Sequence, residues 1–428
     1  AIAAAAAAFP AWASRPAVER SNILGKFHDL MLAGIEPLAR AIVSENGKPI
    51  REARAEVQYA AEFVRWSAEE ARRVYGETIP AATAGKRHLV LKQPVGVVGA
   101  ITPWNFPAAM ITRKVAPALA AGCPVVIKPA EQTPLTALDL ALLAEKAGVP
   151  AGVLNVVTGT PEAVGGEILA SPLVRKLTFT GSTEVGKLLM RGAAATVKKI
   201  SLELGGQAPF IVFADADLAR AVDGCVTNKF RNAGQTCICA NRIYVQRPVY
   251  ARFLADLARR VEALVVGPGI DEATQVGPII DAAGLAKIDA HVQDARKHGA
   301  RVLCGGRPLR RRWYAPTVLA DVPPGCLILR EETFGPVAPV VPFDSEDEVV
   351  RLANDTPYGL AAYFYTSDAS RLFRVMEALQ YGIVGANDPS PGVPQAPFGG
   401  MKESGIGREG GKYGLEEYVE VKHVSVMV

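Results

Sequence analysis

Histidine and cysteine are scarce in this sequence of 428 residues, and their spacing excludes the commonest metal and disulfide sites. The five histidines form neither HExxH nor HxxxH, so a zinc site built on histidine is not expected. The six cysteines form no pair of CxxC motifs and are too few for a disulfide scaffold. We therefore predict a protein that holds no metal.

The sequence also lacks a large excess of charge and a long apolar run. Lys and Arg number 47 against 43 Asp and Glu, and a net charge of +4 is too weak to predict nucleic-acid binding. No apolar run reaches the ~18 residues of a membrane-spanning helix. The alanines at 1–8 follow no basic segment, so they predict a helix rather than a secretory signal. We expect a cytoplasmic protein with no membrane or nucleic-acid partner.

What the sequence does contain is typical of a folded α/β protein. Apolar residues make up 49% and charged residues 21%, and at ~150 residues per domain the length predicts two or three domains. Apolar side chains at helical spacing predict long helices over 18–44 and 52–75. Residues 87–93 alternate between polar and apolar instead, which is typical of a strand with one wet face.

From residue 95 to 205, short β-branched runs alternate with helical patterns. Strands that are buried on both faces require such apolar runs, so this alternation predicts a doubly wound parallel sheet. Ligands bind such sheets at the carboxyl ends of the strands. The predicted strands are 97–101, 125–128, 153–157, 176–179 and 200–204, and the predicted helices between them are 108–121, 134–147, 161–170 and 183–195.

A glycine pair at 205–206 ends this series, and a second α/β series follows it. We place a domain boundary at this pair. The last segment, 418–428, alternates and therefore needs a partner edge. The second series has predicted helices over 217–232, 249–265 and 281–298, and predicted strands over 242–246, 300–304, 336–343 and 361–366.

The segment Gly181–Lys187 has the GxxxxGK spacing of a phosphate-binding loop between a strand and a helix. Leu188 stands where a Ser or Thr would hold Mg²⁺, so nucleotide hydrolysis is not expected. A glycine-rich turn with free N–H groups can still hold a phosphate, although a plain tight turn is the alternative. Because GxGxxG is absent, a dinucleotide would bind through a variant of that motif.

Cys237 stands in a run of small polar residues that predicts a loop leading into a helix. A helix N-terminus lowers the pKa of a thiol and makes it nucleophilic, whereas a buried structural cysteine is the alternative. Glu203 ends the last strand of the first series, and Asn105 follows its first strand. A thiol, a carboxylate base and an amide donor are what acyl transfer through a thioester requires.

At this point the sequence resembles the aldehyde dehydrogenase superfamily, whose motifs occur here in family order. The motifs are Pro103–Pro107, Lys128–Glu131, Phe179–Thr183, Leu202–Gly206, Gly234–Cys237, Glu331–Pro336 and Pro397–Gly400. The segments 107–114 and 229–242 are similar to those of succinate-semialdehyde dehydrogenases. A non-catalytic protein of this fold is the competing hypothesis, but the thiol, the carboxylate and the amide are all present.

The resemblance implies a catalytic role for five residues. Cys237 attacks the aldehyde, and its backbone N–H and the Asn105 side chain stabilise the oxyanion. Glu203 activates the water that hydrolyses the thioester. Lys114 and Glu409 match residues that relay the proton behind that glutamate.

The resemblance also implies a nicotinamide dinucleotide cofactor. Glu332 and Phe334 match residues that hold the nicotinamide ribose and ring. We expect NAD to be preferred over NADP, because a carboxylate at Glu131 accepts hydrogen bonds from both ribose hydroxyls and repels a 2′-phosphate. Residues expected at the adenosine and pyrophosphate are Thr102, Pro103, Trp104, Lys128, Glu131, Gly181 and Ser182.

The substrate is expected to be an aldehyde with an anionic tail, held by Arg113 and Arg242. Succinate semialdehyde is the first choice, and glutarate semialdehyde or another aldehyde on the same mechanism is the alternative. Succinate-semialdehyde dehydrogenases carry a substrate-binding serine at the position that counting assigns to Gly392. Ser390 is the nearest hydroxyl and is the expected third contact.

The family organisation implies three parts. We expect an NAD(P)-binding domain of residues 1–75 and 95–205, a catalytic domain of residues 206–405, and oligomerisation strands at 76–94 and 412–428. The family is expected to pair 89–93 with 419–428 across subunits, giving a homodimer or homotetramer. Cys239 lies two residues from Cys237 and is a candidate redox partner, with an inert core thiol as the alternative.

Overall fold

The computed structural model describes residues 1–428 as 15 α-helices and 16 strands. None of the helices combines the length and apolar character that crossing a bilayer requires. The helices are α1 (Ile2–Ala13), α2 (Ala17–Ala33), α3 (Ile35–Asn46), α4 (Ile50–Glu70), α5 (Ala109–Ala121), α6 (Pro134–Ala147), α7 (Pro161–Ala170), α8 (Thr183–Ala193), α9 (Leu218–Phe230), α10 (Arg247–Glu262), α11 (Ala282–Lys297), α12 (Leu327–Arg330), α13 (Glu346–Asn354), α14 (Ala369–Ala378) and α15 (Gly411–Glu416).

The strands form three separate sheets of six, seven and three members. They are β1 (Glu77–Ile79), β2 (Lys86–Pro94), β3 (Val97–Ile101), β4 (Val125–Lys128), β5 (Leu154–Val156), β6 (Val174–Thr180), β7 (Lys199–Glu203), β8 (Ala208–Val212), β9 (Ala240–Gln246), β10 (Arg301–Cys304), β11 (Thr317–Ala320), β12 (Val337–Phe343), β13 (Ala361–Tyr365), β14 (Ile383–Ala386), β15 (Gly405–Ile406) and β16 (Val419–Met427).

The first sheet has the order β15-β7-β6-β3-β4-β5 and is parallel apart from the two-residue β15. The chain starts at β3 in the centre, builds outward through β4 and β5, and returns to the other side at β6. This order confirms the predicted doubly wound sheet. Its topological switch point lies between β3 and β6, where ligands bind in folds of this kind.

The second sheet has the order β10-β11-β12-β9-β8-β13-β14 and is parallel apart from β10. Three of its strands, β8, β11 and β14, were not predicted from the sequence. Pro209 in β8 argues against a central strand because proline cannot donate to the ladder. The register of β8 on β9 shifts between Ala208 and Pro209, and this irregularity accommodates the proline.

Only four residues, 204–207, connect the end of β7 to the start of β8. The carboxyl edge of the first sheet therefore faces the amino edge of the second sheet. Asn105 follows β3, Glu203 ends β7, and Cys237 precedes β9. The three candidate catalytic residues thus come from three separate segments that converge on this junction.

The third sheet, β1-β2-β16, is antiparallel throughout. The strands β2 and β16 pair with each other along nine residues of each strand, from Pro94 opposite Val419 to Lys86 opposite Met427. The expectation that 89–93 and 419–428 pair across subunits is therefore wrong, because each finds its partner within the chain. Apolar side chains such as Leu91 and Val421 remain exposed on this sheet.

The helices before the first sheet differ from the prediction at one point. The helix expected over 18–44 is divided at Gly34, whose backbone N–H closes α2 by donating to the carbonyls of Leu30 and Met31. The next helix, α4, begins after Pro49 and packs along α5. One end of α4 thereby reaches the junction between the two large sheets, where Glu52 and Glu56 lie.

Candidate active site

A cavity of about 240 Å³ lies at the junction of the two large sheets. Its walls come from α4, from the start of α5, from the loop before β9 and from the loop around residues 389–392. Cys237 lines it together with apolar side chains that include Phe106, Met110 and Phe398. Two guanidinium groups, of Arg113 and Arg231, line the same cavity. The carboxylates of Glu52 and Glu56 line it too, so the cavity joins a thiol, an apolar wall and charged groups of both signs.

The loop that carries Cys237 differs from the expected entry into a helix. Three consecutive residues before it, Asn232, Ala233 and Gly234, have left-handed φ angles of 50°, 54° and 73°. After Cys237 the chain enters strand β9, so the segment of the thiol does not lead into a helix. Burial, and then the nearby Glu332 carboxylate, raise the pKa of the Cys237 thiol to about 12. The expectation of a lowered pKa is therefore wrong, and the thiol requires a proton acceptor before it can attack.

Glu203 is a buried carboxylate at the end of β7, and its Oε2 has no hydrogen-bond partner. Burial, and then repulsion from Glu409, raise the pKa of Glu203 well above its ordinary value. The backbone approaches this group closely, since a Cβ at Gly399 would lie 2.8 Å from Glu203 Oε1. An unsatisfied carboxylate with a raised pKa is suited to taking a proton near neutral pH.

Behind Glu203, a second carboxyl group has the opposite electrostatic environment. Lys114 Nζ donates to Glu409 and to the hydroxyl of Thr180. Burial alone would raise the pKa of Glu409, but the positive charges of Lys114 and Arg113 outweigh it and lower that pKa. The pKa values of the two glutamates are therefore pushed apart, an arrangement that separates acid and base roles in enzyme sites.

Asn105 lies against the loop of the thiol. Its Nδ2 donates to the backbone carbonyl of Gln235 at 3.2 Å, two residues before Cys237, while its Oδ1 has no partner. Its backbone carbonyl accepts hydrogen bonds from Lys48 and Asn232. The carboxamide is thus fixed against the loop of Cys237.

The switch point of the first sheet carries the features of a phosphate site. Thr102 and Pro103 follow β3, and Gly181 and Ser182 follow the neighbouring β6. The Ser182 hydroxyl caps α8 by accepting from the N–H of Val185 at 3.3 Å. A Cβ at Gly181 would lie 2.3 Å from the ring of Phe179, so only glycine fits this turn. A helix N-terminus at a switch point is suited to holding a pyrophosphate.

Two acidic groups stand on either side of this switch point. The buried Lys128, at the end of β4, forms an ion pair with Glu131, whose side chain is 45% exposed. Glu332 is half-buried and accepts the N–H of Gly206 at 3.1 Å, and removal of its carboxyl group from water raises its pKa to about 7. Carboxylates are suited to ribose hydroxyls, so this set of groups fits the two riboses of a dinucleotide.

An aromatic pair completes the fit to a nicotinamide dinucleotide. The rings of Trp104 and Phe334 meet edge to face with their centroids 5.6 Å apart. Phe334 has a left-handed φ of 55°, a conformation that a bulky residue adopts only when its surroundings enforce it. Two acidic groups, a helix N-terminus and flat apolar side chains are therefore present for the ribose, pyrophosphate and ring portions.

The assignment of Arg242 to the substrate is wrong. Arg242 lies within β9, and its guanidinium donates to the backbone carbonyls of Gln207, Leu352 and Ala353 and to the hydroxyl of Tyr381. The side chain is buried and does not line the cavity. Because its donors are already used by the fold, this arginine has a structural role.

Arg231 takes the place that the sequence assigned to Arg242. It lies in the 3₁₀ turn Arg231–Gly234 and lines the cavity, where its guanidinium lies 5.1 Å from the centre of the Phe106 ring and near the Glu52 carboxylate. Arg113 Nε lies 2.8 Å from Glu409 Oε2 without aligning its N–H, and Arg113 Nη2 has no partner. The signal that the sequence offered for Arg231 was its position six residues before the thiol.

The loop opposite the thiol contributes Ser390 and Gly392 to the cavity wall. Ser390 is exposed, and its backbone N–H donates to Asp388 Oδ1 at 2.8 Å. At Gly392 a Cβ would make only ordinary contacts, the nearest at 3.4 Å to the hydroxyl of Tyr59. The glycine therefore leaves room that a side chain could fill.

Cys239 lines the same cavity as Cys237 but is itself buried. Its Sγ donates to the carbonyl of Gly234 at 3.3 Å. Lys229 Nζ is also buried and lies 3.5 Å from the same sulfur. The second thiol is therefore accessible only through the cavity.

The arrangement of thiol, carboxylate, amide donor and dinucleotide fold agrees with the comparison to known families. The sequence model of the aldehyde dehydrogenase family matches residues 1–424. The chain belongs to the aldehyde dehydrogenase family. This confirms the resemblance drawn from the motifs, and it makes the protein an oxidoreductase that acts on an aldehyde with NAD or NADP.

Individual relatives match the whole length of this aldehyde dehydrogenase. It is 56% identical to the succinate-semialdehyde dehydrogenase [NADP(+)] GabD of Escherichia coli, over 100% of the chain and 89% of that protein. It is 55% identical to the glutarate-semialdehyde dehydrogenase of Pseudomonas putida, with the same coverage. The fold matches the crystal structure of an E. coli NADP-dependent enzyme with a TM-score of 0.99, at 56% identity and covering 100% and 89% of the two chains.

Proposed function

We propose that this aldehyde dehydrogenase oxidises succinate semialdehyde to succinate. The observation that carries the proposal is that the cavity of Cys237 also holds Arg231 and the free Nη2 of Arg113. Guanidinium groups bind a carboxylate through paired N–H donors, so they suit the anionic end of the substrate. Relatives named for succinate semialdehyde and for glutarate semialdehyde both support an aldehyde with a terminal carboxylate.

Glutarate semialdehyde is the second candidate, and Gly392 favours it. The space at this position adjoins Tyr59 in the cavity that holds the guanidinium groups. A substrate that is one methylene longer would use this room. Both candidates need the same chemistry at the aldehyde end and differ only in tail length.

In the proposed reaction, Cys237 loses its proton and its sulfur attacks the carbonyl carbon. The carbonyl oxygen gains negative charge, which the Asn105 amide and the Cys237 backbone N–H stabilise. Bound NAD(P) supplies hydride acceptance, and the acyl group stays on Cys237 as a thioester until water removes it. The overall change is one aldehyde and one water to one carboxylic acid; two electrons and one proton pass to the oxidised cofactor as hydride, and one further proton is released to solvent.

We propose Glu203 as the base that activates this water. Its raised pKa lets it hold the proton, and the free Oε2 gives a water an acceptor. Lys114 and Glu409 then pass the proton away from the site, since they form a buried chain behind Glu203. The lowered pKa of Glu409 supports a role as a charged relay group rather than as a second base.

We further propose how the cofactor is held and which cofactor is preferred. Glu332 and Phe334 would hold the nicotinamide ribose and ring, while Ser182 and the start of α8 would hold the pyrophosphate. Glu131 would accept the hydroxyls of the adenosine ribose, which favours NAD because a 2′-phosphate would meet its negative charge. The lysine partner of Glu131 partly offsets that charge, so we expect a preference rather than exclusion.

The domain organisation that fits this function has three parts. We propose an NAD(P)-binding domain of residues 1–75 and 95–205, a catalytic domain of residues 206–405, and an oligomerisation element of 76–94 and 412–428. The exposed apolar side chains of the third sheet support a homodimer or homotetramer built through this element. Light scattering at micromolar concentration tests this, and a monomeric mass would disprove it.

The function itself is tested with two variants and one control. Cys237→Ala should abolish dehydrogenase turnover while NADH binding, followed by fluorescence, persists. Glu203→Gln should slow hydrolysis so that an acyl adduct on Cys237 accumulates and is detected by intact mass. Cys225→Ala, which removes a thiol buried in α9, is the control and should retain turnover. Turnover in Cys237→Ala, or normal steady-state rates in Glu203→Gln, would contradict the mechanism.

A further inference from the structure

The last residue of α3 and the short loop after it donate hydrogen bonds to two successive carbonyl groups in the segment after β3. Asn46 Nδ2 donates to the carbonyl of Trp104 at 3.1 Å. Two residues later, Lys48 Nζ donates to the carbonyl of Asn105 at 2.7 Å. A local hydrogen bond fixes the conformation of this loop, since the backbone N–H of Lys48 donates to Asn46 Oδ1 at 3.1 Å. These hydrogen bonds fix the backbone at Asn105, the proposed oxyanion donor.

Lys48 is one of the most buried charges in the protein, with a relative exposure of 1%. Its ammonium forms an ion pair with Glu56, whose side chain is equally buried, and lies 4.0 Å from the centre of the Phe106 ring. The other oxygen of Glu56 accepts the N–H of Ala108 at 2.8 Å, at the start of α5. The ion pair thus ties the carbonyl of Asn105 to the beginning of the next helix.

The carbonyl that Lys48 holds is shared with the loop of the thiol. Asn232 Nδ2 donates to the carbonyl of Asn105 at 2.9 Å and reaches the carbonyl of Gln235 at 3.3 Å. The Asn105 carboxamide donates to the same Gln235 carbonyl at 3.2 Å. Lys48 is therefore the charged end of a network that fixes the Asn105 amide relative to the loop of Cys237.

Stability alone gives little reason for a buried ion pair at this point. Removing two charges from water costs several kcal/mol per ion, and apolar replacements of buried pairs are often neutral or stabilising. A fixed direction for an oxyanion donor, in contrast, is worth much to a reaction, because a preorganised donor does not have to reorient as charge develops. The geometry around Asn105 is what the pair controls.

We propose that Lys48 and Glu56 are positioning residues, which aim the Asn105 amide at the oxygen of the aldehyde and so accelerate acylation of Cys237. This inference rests on the proposed function. It adds Lys48, which does not line the cavity, and Glu56, which does, and both act through the backbone at Asn105 and at the start of α5. A merely structural pair would contribute to thermal stability without any specific effect on the acylation step.

The main test is the double variant Lys48→Met, Glu56→Gln, in which the glutamine keeps an acceptor for the N–H of Ala108. We expect single-turnover NADH formation per active site to slow by about tenfold or more, short of the ~10²- to 10³-fold loss for removing an oxyanion donor. The KM values for NAD and aldehyde should stay within about threefold of wild type, because no binding contact is lost. Titration of the reactive thiol supplies the number of active sites.

Lys176→Met is the matched control. Lys176 is as buried as Lys48, and its ammonium bonds to Ser201 and Glu417 away from Asn105. We expect it to lower the melting temperature while acylation per active site stays within about threefold of wild type. An equal slowing of acylation in this control would show that loss of any buried lysine has the same effect, and would overturn the proposal.

A double-mutant cycle with Asn105→Ala separates positioning from other effects. If Lys48 acts through Asn105, the double change should slow acylation in wild type but cause no further loss in Asn105→Ala. Equal losses in both backgrounds, or a wild-type rate in the Lys48→Met, Glu56→Gln protein, would overturn the inference. A wild-type enzyme that oxidises no aldehyde would instead contradict the proposed function.

A second variant covers poor folding of the first. Lys48→Arg keeps a positive charge beside Glu56 but cannot place a single ammonium on the carbonyl of Asn105. The same selective loss of acylation rate is expected, and full activity in a folded Lys48→Arg protein would equally overturn the inference.

Discussion

Glu332 Oε1 accepts a hydrogen bond from the backbone N–H of Gly206 at 3.1 Å, and this half-buried carboxyl group lies in the field of Lys287 and Lys229. Burial raises its pKa from an ordinary 4.5 to about 7. The folded protein therefore holds this proton more tightly than the unfolded chain does. Its contribution to stability is complete below about pH 4.5 and is lost as the pH rises to about 7.

Glu332→Gln should remove this pH dependence, because glutamine keeps the acceptor for Gly206 and carries no charge. At pH 8 we expect the free energy of unfolding of the variant to exceed that of wild type by ~3 kcal/mol, and at pH 4.5 we expect the two to be equal. Melting temperatures at the two pH values, without cofactor, provide the measurement. The same shift at both pH values would show that the carboxyl group is not the cause.

The two arginines of the cavity should control the preference for an anionic aldehyde. Arg113→Met and Arg231→Met are each expected to raise the KM for succinate semialdehyde by at least tenfold, since each removes a charge-assisted contact worth about 1.5–3 kcal/mol. Turnover of the neutral butanal should change little in Arg231→Met, whereas Arg113→Met also removes the charge beside Glu409 and should slow turnover of both aldehydes. Arg242→Met is the matched control and should affect both substrates alike through reduced stability. A wild type that prefers butanal would rule out the anionic tail.

The glycine at 392 should set the length of the tail. Gly392→Ser fits without a clash and fills the space beside Tyr59. We expect it to lower kcat/KM for glutarate semialdehyde about tenfold more than for succinate semialdehyde, the scale of one methylene in a tight pocket. Initial rates over four-, five- and six-carbon semialdehydes measure this. Parallel changes for all three lengths would mean that residue 392 does not meet the tail.

The carboxylate at 131 should set the choice of cofactor. Glu131→Ser removes the negative charge and leaves Lys128 free to meet a 2′-phosphate. The ratio of kcat/KM for NADP to that for NAD should rise by about tenfold or more, as expected for one charged contact. The test requires both cofactors at the same ionic strength. A wild type that already favours NADP would show that Glu131 swings aside.

The second thiol near the site should make the enzyme sensitive to peroxide. Oxidation of Cys237 to a sulfenic acid, followed by attack of the Cys239 thiol, would release water and form a disulfide between them. Such a small ring is strained and easily reduced. We expect peroxide to inhibit the wild type and dithiothreitol to restore it. In Cys239→Ala a second equivalent of peroxide should oxidise the Cys237 sulfenic acid to a sulfinic acid, which dithiothreitol does not reduce. Identical behaviour of the two proteins would exclude this pair.

The sequence predicted the parallel sheets well because their strands are buried on both faces. Strand β3 follows the predicted 97–101, and α6 follows the predicted 134–147. A short, continuous apolar run such as β3 is typical of a strand that is covered on both faces, which is why its bounds could be predicted. Strand β8 was missed because only four residues separate it from β7, and it lies directly behind the glycine pair at which we place a domain boundary. Proline alone does not prevent such a prediction, since β12 contains Pro339 and Pro342 and was predicted.

The candidate site was harder to predict where spacing along the chain does not give direction. Arg242 is five residues from Cys237, but β9 begins between them and turns the guanidinium towards the carbonyl of Gln207. Arg231 is six residues before the thiol, and a left-handed backbone at 232–234 brings it to the cavity. No sequence pattern specifies three consecutive left-handed residues.

The thiol pKa was also beyond the reach of the sequence. The small residues around Cys237 indicated a helix N-terminus, which would lower the pKa. In the structure a strand follows and burial dominates, so the pKa is raised. The direction of the shift in the thiol pKa depends on what surrounds the sulfur in space. The two charges with the largest effect on it, Glu332 and Arg113, lie about a hundred residues away along the chain, one on each side.

The hydrogen bond between Lys114 and Glu409 joins residues that are 295 positions apart, and the one from Asn105 to Gln235 spans 130. During synthesis, the thiol loop therefore leaves the ribosome long before Glu409 is made. Most of the second sheet is translated after Cys237 and before Glu409, the carboxyl group that lies near Glu203. A chain that stopped before residue 409 would therefore carry the thiol, the amide and Glu203 without the charged group that lies behind them.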